Sequence, residues 1–81
     1  MSRKVKVSEL IGMQINDGSM TFEIEKYDSQ RRVFWVDEIV YNEEKDEDEK
    51  SGKPFRLTKR EVENALHHFD GTNHTVVNDL E

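Results

Sequence analysis

Three histidines and one aspartate in the C-terminal part of the chain are of residue types that bind metal ions: His67, His68, His74 and Asp70. Adjacent positions on a helix point about 100° apart, so His67 and His68 cannot easily hold one ion, and no two histidines stand four residues apart. The acidic residues upstream lack the ordered Asp-x-Asp-x-Asp-Gly spacing of a calcium loop. We therefore predict no metal site and no cofactor.

The sequence contains no motif for catalysis. It has no Gly-rich phosphate loop, no Gly-x-Ser-x-Gly elbow and no His-Glu-x-x-His pattern, and it has no cysteine to act as a thiol nucleophile. We expect no catalytic residues and predict that the protein is not an enzyme. Because it lacks cysteine, a membrane-length apolar run and a signal peptide, we expect it to be cytoplasmic, without membrane contact.

Acidic side chains are the strongest candidates for binding a partner. The net charge is −6, and the segment from Asp37 to Lys50 contains eight acids against two lysines, so this segment accounts for the whole charge. In an extended chain these carboxylates would fall about 4 Å apart, close to the roughly 3.4 Å charge spacing of one B-DNA strand. The eight candidate partner-binding residues are Asp37, Glu38, Glu43, Glu44, Asp46, Glu47, Asp48 and Glu49.

In its size, acidity, lack of cysteine and compact α+β pattern, the sequence resembles the small acidic proteins with which bacteriophages inhibit host factors by imitating DNA, such as the phage-encoded inhibitor of the nucleoid protein HU. The resemblance implies that the eight acids act as phosphate surrogates and occupy the basic site of a nucleic-acid-binding protein. Because these acids would repel a phosphate backbone within about 8–10 Å, we expect no direct binding of nucleic acid.

The first half of the chain has the pattern of β-strands. A strand is expected over Leu10 to Ile15, and the Asp17-Gly18 pair after it predicts a hairpin turn. In the next strand, apolar and polar residues alternate from Met20 to Glu25, while Tyr27 departs from this alternation.

A strand from about Arg32 to Tyr41 has apolar residues on both faces, so both faces need a cover. Two interpretations follow: a homodimer through this strand, which we favour, or a small barrel-like meander with Trp35 in its core. The candidate core and dimer residues are Val33, Phe34, Trp35, Val36, Ile39, Val40 and Tyr41.

The C-terminal half carries the helix signal. Thr58-Lys59-Arg60-Glu61 matches a capping box, and an apolar stripe follows it as far as the Asp70-Gly71 stop. We predict one domain over residues 1–81, with an acidic loop at about 42–53, a helix at about 58–70 and a flexible tail at about 72–81. Within this tail, Thr75-Val76-Val77 could instead add an edge strand. The fold class is α+β: an antiparallel meander of three to four strands with one C-terminal helix packed on it.

Alternatives to a DNA-mimicking inhibitor remain open. The apolar strand could meet the partner in a structural or regulatory interaction module, or the acidic run could be a solvated loop that only maintains solubility. The least favoured alternative is a nucleic-acid-binding domain that uses the basic side chains. Those side chains are Arg31, Arg32, Lys53, Arg56, Lys59 and Arg60.

Overall fold

The computed structural model describes residues 2–80, so Met1 and Glu81, which the predicted domain and tail include, lie outside the described residues. The strands are β1 (Ser2–Lys6), β2 (Gln14–Asn16), β3 (Thr21–Asp28), β4 (Val33–Asn42), β5 (Glu47–Lys50), β6 (Phe55–Thr58) and β7 (Asn73–Val77). The helices are α1 (Val7–Leu10) and α2 (Lys59–Asp70).

Strand β4 is the centre of an antiparallel sheet of five strands. It pairs with β3 along one edge, and its other edge is shared by two strands in succession. The first half, Val33–Val36, pairs with β6, and the second half, Ile39–Asn42, pairs with β5. Strand β2 extends the sheet beyond β3. The predicted α+β fold is confirmed, with five strands in the sheet.

One face of this sheet is covered and carries the core. Helix α2 begins with the predicted capping box, since Glu61 N–H donates to the Thr58 hydroxyl and Thr58 N–H donates to the Glu61 carboxylate. Its stripe Val62, Ala65 and Leu66 is buried. The core also includes Val5, Val7, Leu10, Ile15, Phe22, Ile24, Phe34, Val36 and Val76.

A β-bulge explains why Tyr27 departs from the alternation of its strand. Ile24 pairs with Val36, and the next pair joins Lys26 to Trp35, so Glu25 is an extra residue on β3. The bulge returns Tyr27 to the core face, where its ring centroid lies 4.6 Å from that of Phe34.

Three predicted segments differ from the structure. The tail prediction is wrong for residues 73–77, and the alternative of a strand at Thr75-Val76-Val77 is confirmed, since these residues form β7 and pair in parallel with β1. The loop prediction for about 42–53 is wrong in part, since β4 extends to Asn42 and Glu47–Lys50 forms β5. The strand expected from Leu10 is present only from Gln14 to Asn16, and it follows the helical turn α1. The parallel pairing joins segments about 70 residues apart in sequence, which local patterns cannot reveal.

The sheet is open, so the barrel-like interpretation is wrong. Trp35 lies on the uncovered face and is half-buried, outside the core. No helix within residues 2–80 is long and apolar enough to cross a membrane.

We expect Val76→Ala to lower the free energy of unfolding by about 2 kcal/mol, because it removes two buried methyl groups and leaves a cavity. Val77 is the matched control: it lies in the same strand, is 38% exposed, and its change to alanine should cost well under 1 kcal/mol. Urea denaturation measures both values. Equal, small effects would show that residues 73–77 do not pack on the core in solution.

Candidate protein-interaction hairpin

The acidic residues lie on a β-hairpin formed by β4 and β5, and we call residues 43–49 the acidic tip. Asn42 shapes the turn, because its side-chain oxygen accepts hydrogen bonds from the N–H groups of Glu44 and Lys45 at 3.0 and 3.3 Å. Asp46 has a φ of 52°, a left-handed conformation that aspartate tolerates better than most residues. Tyr41 donates its hydroxyl hydrogen to the Asp46 carboxylate, which raises the pKa of Tyr41. Asn42 was not predicted as a site residue, and Tyr41 was predicted only as a core and dimer residue.

The acidic tip holds carboxylates that the fold itself does not use. Within residues 2–80, five carboxylates have no hydrogen-bond or ion-pair partner: Glu38, Glu43, Glu44, Glu47 and Asp48. Four of the five belong to the acidic tip, and those four are exposed. The fifth, Glu38, is half-buried in β4.

With the exception of Glu38, the described acids outside the acidic tip behave differently, because they act as structural acceptors. Glu63 accepts the N–H of Val76 at 2.7 Å and so attaches β7 to the helix. Asp17 accepts the N–H groups of Ser19 and Met20 in the first turn, which lowers the pKa of Asp17. Hydrogen bonds or ion pairs also involve Glu9, Glu23, Glu25, Asp28, Asp37, Glu61, Asp70 and Asp79.

Asp37 is not part of an exposed binding surface, so its assignment as a phosphate surrogate is wrong. It is 3% exposed and lies in β4 between the segments that pair with β5 and β6. Its carboxylate accepts hydrogen bonds from the Ser51 hydroxyl at 2.5 Å and from the Gly52 N–H at 3.2 Å. These bonds fix the crossing between the two strands, and a sequence pattern does not show which acid will lie beside such a crossing.

The expected spacing of the carboxylates also changes. Successive side chains of a strand point to opposite faces, so same-face carboxylates on β5 are about 6.6 Å apart rather than about 4 Å. Glu47 and Glu49 share one face, while Asp48 lies on the other. The acidic tip is therefore a compact anionic point and not a linear copy of one DNA strand.

The two lysines of the segment neutralise only a small part of it. Lys45 lies 3.8 Å from Glu49 within the acidic tip. Lys50 is directed away, across the sheet, to Glu23 at 2.7 Å and Glu25 at 3.8 Å. The bond with Lys50 lowers the pKa of Glu23 and raises that of Lys50. The acidic tip alone thus carries six carboxylates and one ammonium group.

The predicted core and dimer residues divide between the two faces of β4. Phe34 and Val36 are buried in the core, as predicted. Val33, Trp35 and Ile39 are half-buried on the opposite, uncovered face. On the same strand, Val40 is 37% exposed and Tyr41 is 56% exposed.

Long charged side chains cover part of the open face. The Lys26 ammonium lies 5.8 Å from the Trp35 ring centroid, and the Arg56 guanidinium carbon lies 5.7 Å from it. These two charged groups lie over the half-buried indole, which reduces the need for a second protein layer.

The histidines do not come together. His67 and His68 are exposed, whereas the His74 side chain is 4% exposed and its Nε2 lies 2.8 Å from Asp70 Oδ2. Backbone donation from Thr72 and the contact with His74 lower the pKa of Asp70. Within the described chain, no three histidine and carboxylate side chains are arranged to hold a metal ion.

We expect Asp37→Ala to lower the free energy of unfolding by about 2–3 kcal/mol, because Gly52 N–H and the Ser51 hydroxyl lose a buried acceptor. Asp48→Ala removes an exposed, unpartnered carboxylate and should change the free energy of unfolding by less than about 0.5 kcal/mol. Chemical denaturation compares the two. Similar values for both variants would contradict the structural role of Asp37.

Lys50→Met should reduce stability more at pH 7 than at pH 3. The folded pKa of Glu23 is depressed, so its bond to Lys50 contributes stability above the unfolded carboxyl pKa, and this contribution is lost as the pH falls through the folded value. Melting temperatures of wild type and Lys50→Met, measured from pH 7 to pH 3, check this. The difference between the two proteins should become smaller as the pH falls. Lys53→Met is the control, and a constant difference for Lys50→Met would refute the linkage.

Comparison of this chain with protein-family models, with curated proteins and with solved structures found no match.

Proposed function

We propose that this protein is a cytoplasmic binding module, and not an enzyme, that inserts its acidic tip into the cationic nucleic-acid-binding groove of a host protein and inhibits it. One observation carries the proposal: among residues 2–80, the exposed carboxylates without an internal partner are gathered on one hairpin, while acids elsewhere stabilise the fold.

Gathering these carboxylates has an energetic cost in the free protein. Like charges on neighbouring positions repel, and exposed charge pairs of this kind are each worth about 0.2–1 kcal/mol. A partner with arginine and lysine side chains removes the repulsion and gains attraction. The same field accelerates encounter, since complementary charge raises association rates at low salt.

The shape of the site favours a groove over a flat surface. The hairpin is two strands wide, which places its backbones about 4.8 Å apart, and its turn residues 43–46 form the end. A groove that accepts nucleic acid presents cations along its walls, and both faces of the hairpin can offer them carboxylates. Competition with nucleic acid follows directly from this placement.

The test measures binding to a basic bacterial nucleoid protein by fluorescence anisotropy over a range of salt concentrations, with DNA as competitor. We expect affinity to fall as salt rises and DNA to displace the protein. Neutralising the four exposed, unpartnered acids of the acidic tip should weaken binding by about 30-fold, at roughly 0.5 kcal/mol each. The substitutions are Glu43→Gln, Glu44→Gln, Glu47→Gln and Asp48→Asn.

A control variant changes the net charge equally at sites away from the hairpin. Four exposed neutral residues become lysine, which also moves the formal charge from −6 to −2. These substitutions are Gln30→Lys, Asn64→Lys, Asn73→Lys and Thr75→Lys. The control should keep most of the affinity. An equal loss of affinity in both variants would show that only the net charge matters. Binding that does not change with salt concentration or with added DNA would exclude the proposal.

A second candidate function uses the open face of the sheet, which no described helix covers. Both edges of β4 are paired from Val33 to Val36 and at Ile39, so a homodimer around Trp35 and Ile39 must form face to face. In this alternative the apolar face binds the partner or a second copy. If the occupant is a second copy, light scattering should give twice the mass of one chain. The Trp35→Ala variant should then have the mass of a single chain. A monomeric wild type would exclude the dimer.

A further inference from the structure

We propose that the end of the sheet opposite the acidic tip binds a phosphate dianion, either inorganic phosphate or the phosphate group of a small ester. The β3–β4 turn and the start of α2 enclose a cleft of about 320 Å³ there. It is lined by Tyr27, Ser29, Arg32, Lys59 and Asn78. Among the described residues, the lining contains two cations and three neutral hydrogen-bonding side chains, and no carboxylate.

The two cations of this cleft are available to an external anion. Within residues 2–80, neither Arg32 nor Lys59 lies within 4.0 Å of a carboxylate oxygen. The acids that neighbour the lining residues in sequence are already occupied. Asp28 accepts the N–H groups of Gln30 and Arg31, and Asp79 accepts hydrogen bonds from Ser8.

The chemistry of the cleft suits phosphate. A guanidinium group donates two parallel hydrogen bonds to phosphate oxygens, and an ammonium group adds a compact charge. Lys59 is the first residue of α2. Because the Thr58 hydroxyl and the Glu61 carboxylate already cap this helix end, Lys59 contributes its ammonium group and not a free helix terminus. The hydroxyl of Ser29 and the amide of Asn78 add neutral donors.

Arg32 occupies a backbone position that its residue type does not favour. Its φ is 57°, in the left-handed region, where glycine is free of strain and arginine is not. The corresponding position of the acidic turn holds Asp46, which tolerates this region better. A guanidinium group that lines the cleft gives arginine a role there that glycine cannot supply.

The volume limits the ligand to a small molecule, because clefts of this size are at the lower end of those that bind organic ligands. The site is also remote from the acidic tip. Strand β4 separates the two turns by about 30 Å, well beyond the Debye length of about 8 Å at physiological salt, so the tip does not repel an anion in the cleft.

Titration of the intact chain, followed by amide NMR shifts at constant ionic strength, tests the proposal with two probes: inorganic phosphate and glucose 6-phosphate. We expect saturable shifts of the amide signals of Ser29, Arg32, Lys59 and Asn78. The probe that binds more tightly identifies whether the ligand is inorganic phosphate or a phosphate ester. Arg32→Gly and Lys59→Ala should each weaken binding at least 10-fold. Arg32→Gly should leave the melting temperature unchanged or raise it, since glycine relieves the strain.

Arg31→Ala is the matched control, because Arg31 lies in the same turn but does not line the cleft. It should bind both probes like the wild type. Absence of saturable shifts with both probes would overturn the proposal. So would an equal loss in Arg31→Ala, or binding of a DNA oligonucleotide without a response to either probe. These results are independent of whether the acidic tip binds a protein.

Discussion

The fold depends on how strand β4 satisfies its backbone along an edge that two separate strands share. β6 pairs with its first half and β5 with its second half, so the chain must leave the sheet between them, after Lys50. The buried carboxylate of Asp37 holds this crossing by accepting hydrogen bonds from Ser51 and Gly52. The crossing lets β6 lead directly into α2, whose apolar stripe then closes the core.

The two ends of β4 are bounded by turns of the same construction and opposite charge. Each begins with a residue whose side-chain oxygen accepts two backbone N–H groups, Asp28 in one turn and Asn42 in the other. Each ends with a non-glycine residue at positive φ, Arg32 or Asp46. The intervening residues are neutral or basic in the first turn and mostly acidic in the second. One local geometry therefore presents cations at one end of the sheet and carboxylates at the other.

This separation of charge gives the protein two independent candidate surfaces. The carboxylates that stabilise the fold are distributed along the molecule, whereas the exposed carboxylates that lack an internal partner in the described part of the chain are concentrated in the acidic tip. A site that keeps its charges unpaired is less stable alone than a site with internal ion pairs, and a partner of opposite charge recovers that energy. The open face around Trp35 is partly covered, because Lys26 and Arg56 lie over the indole ring.

The sequence by itself determined the elements whose signals are local. The capping box at Thr58 and the apolar stripe of α2 fixed the helix, and the Asp17-Gly18 pair fixed the first hairpin, because both depend on residues within a few positions of one another. The cluster of acids between Glu43 and Glu49 is also a local feature, so the sequence alone predicted a concentration of negative charge there. Tertiary structure alone decided that Asp37 is buried at a strand crossing, that residues 73–77 pair with β1, and that Arg32 and Lys59 share a cleft. These features join residues far apart in the chain, and which residues meet depends on packing of the whole core.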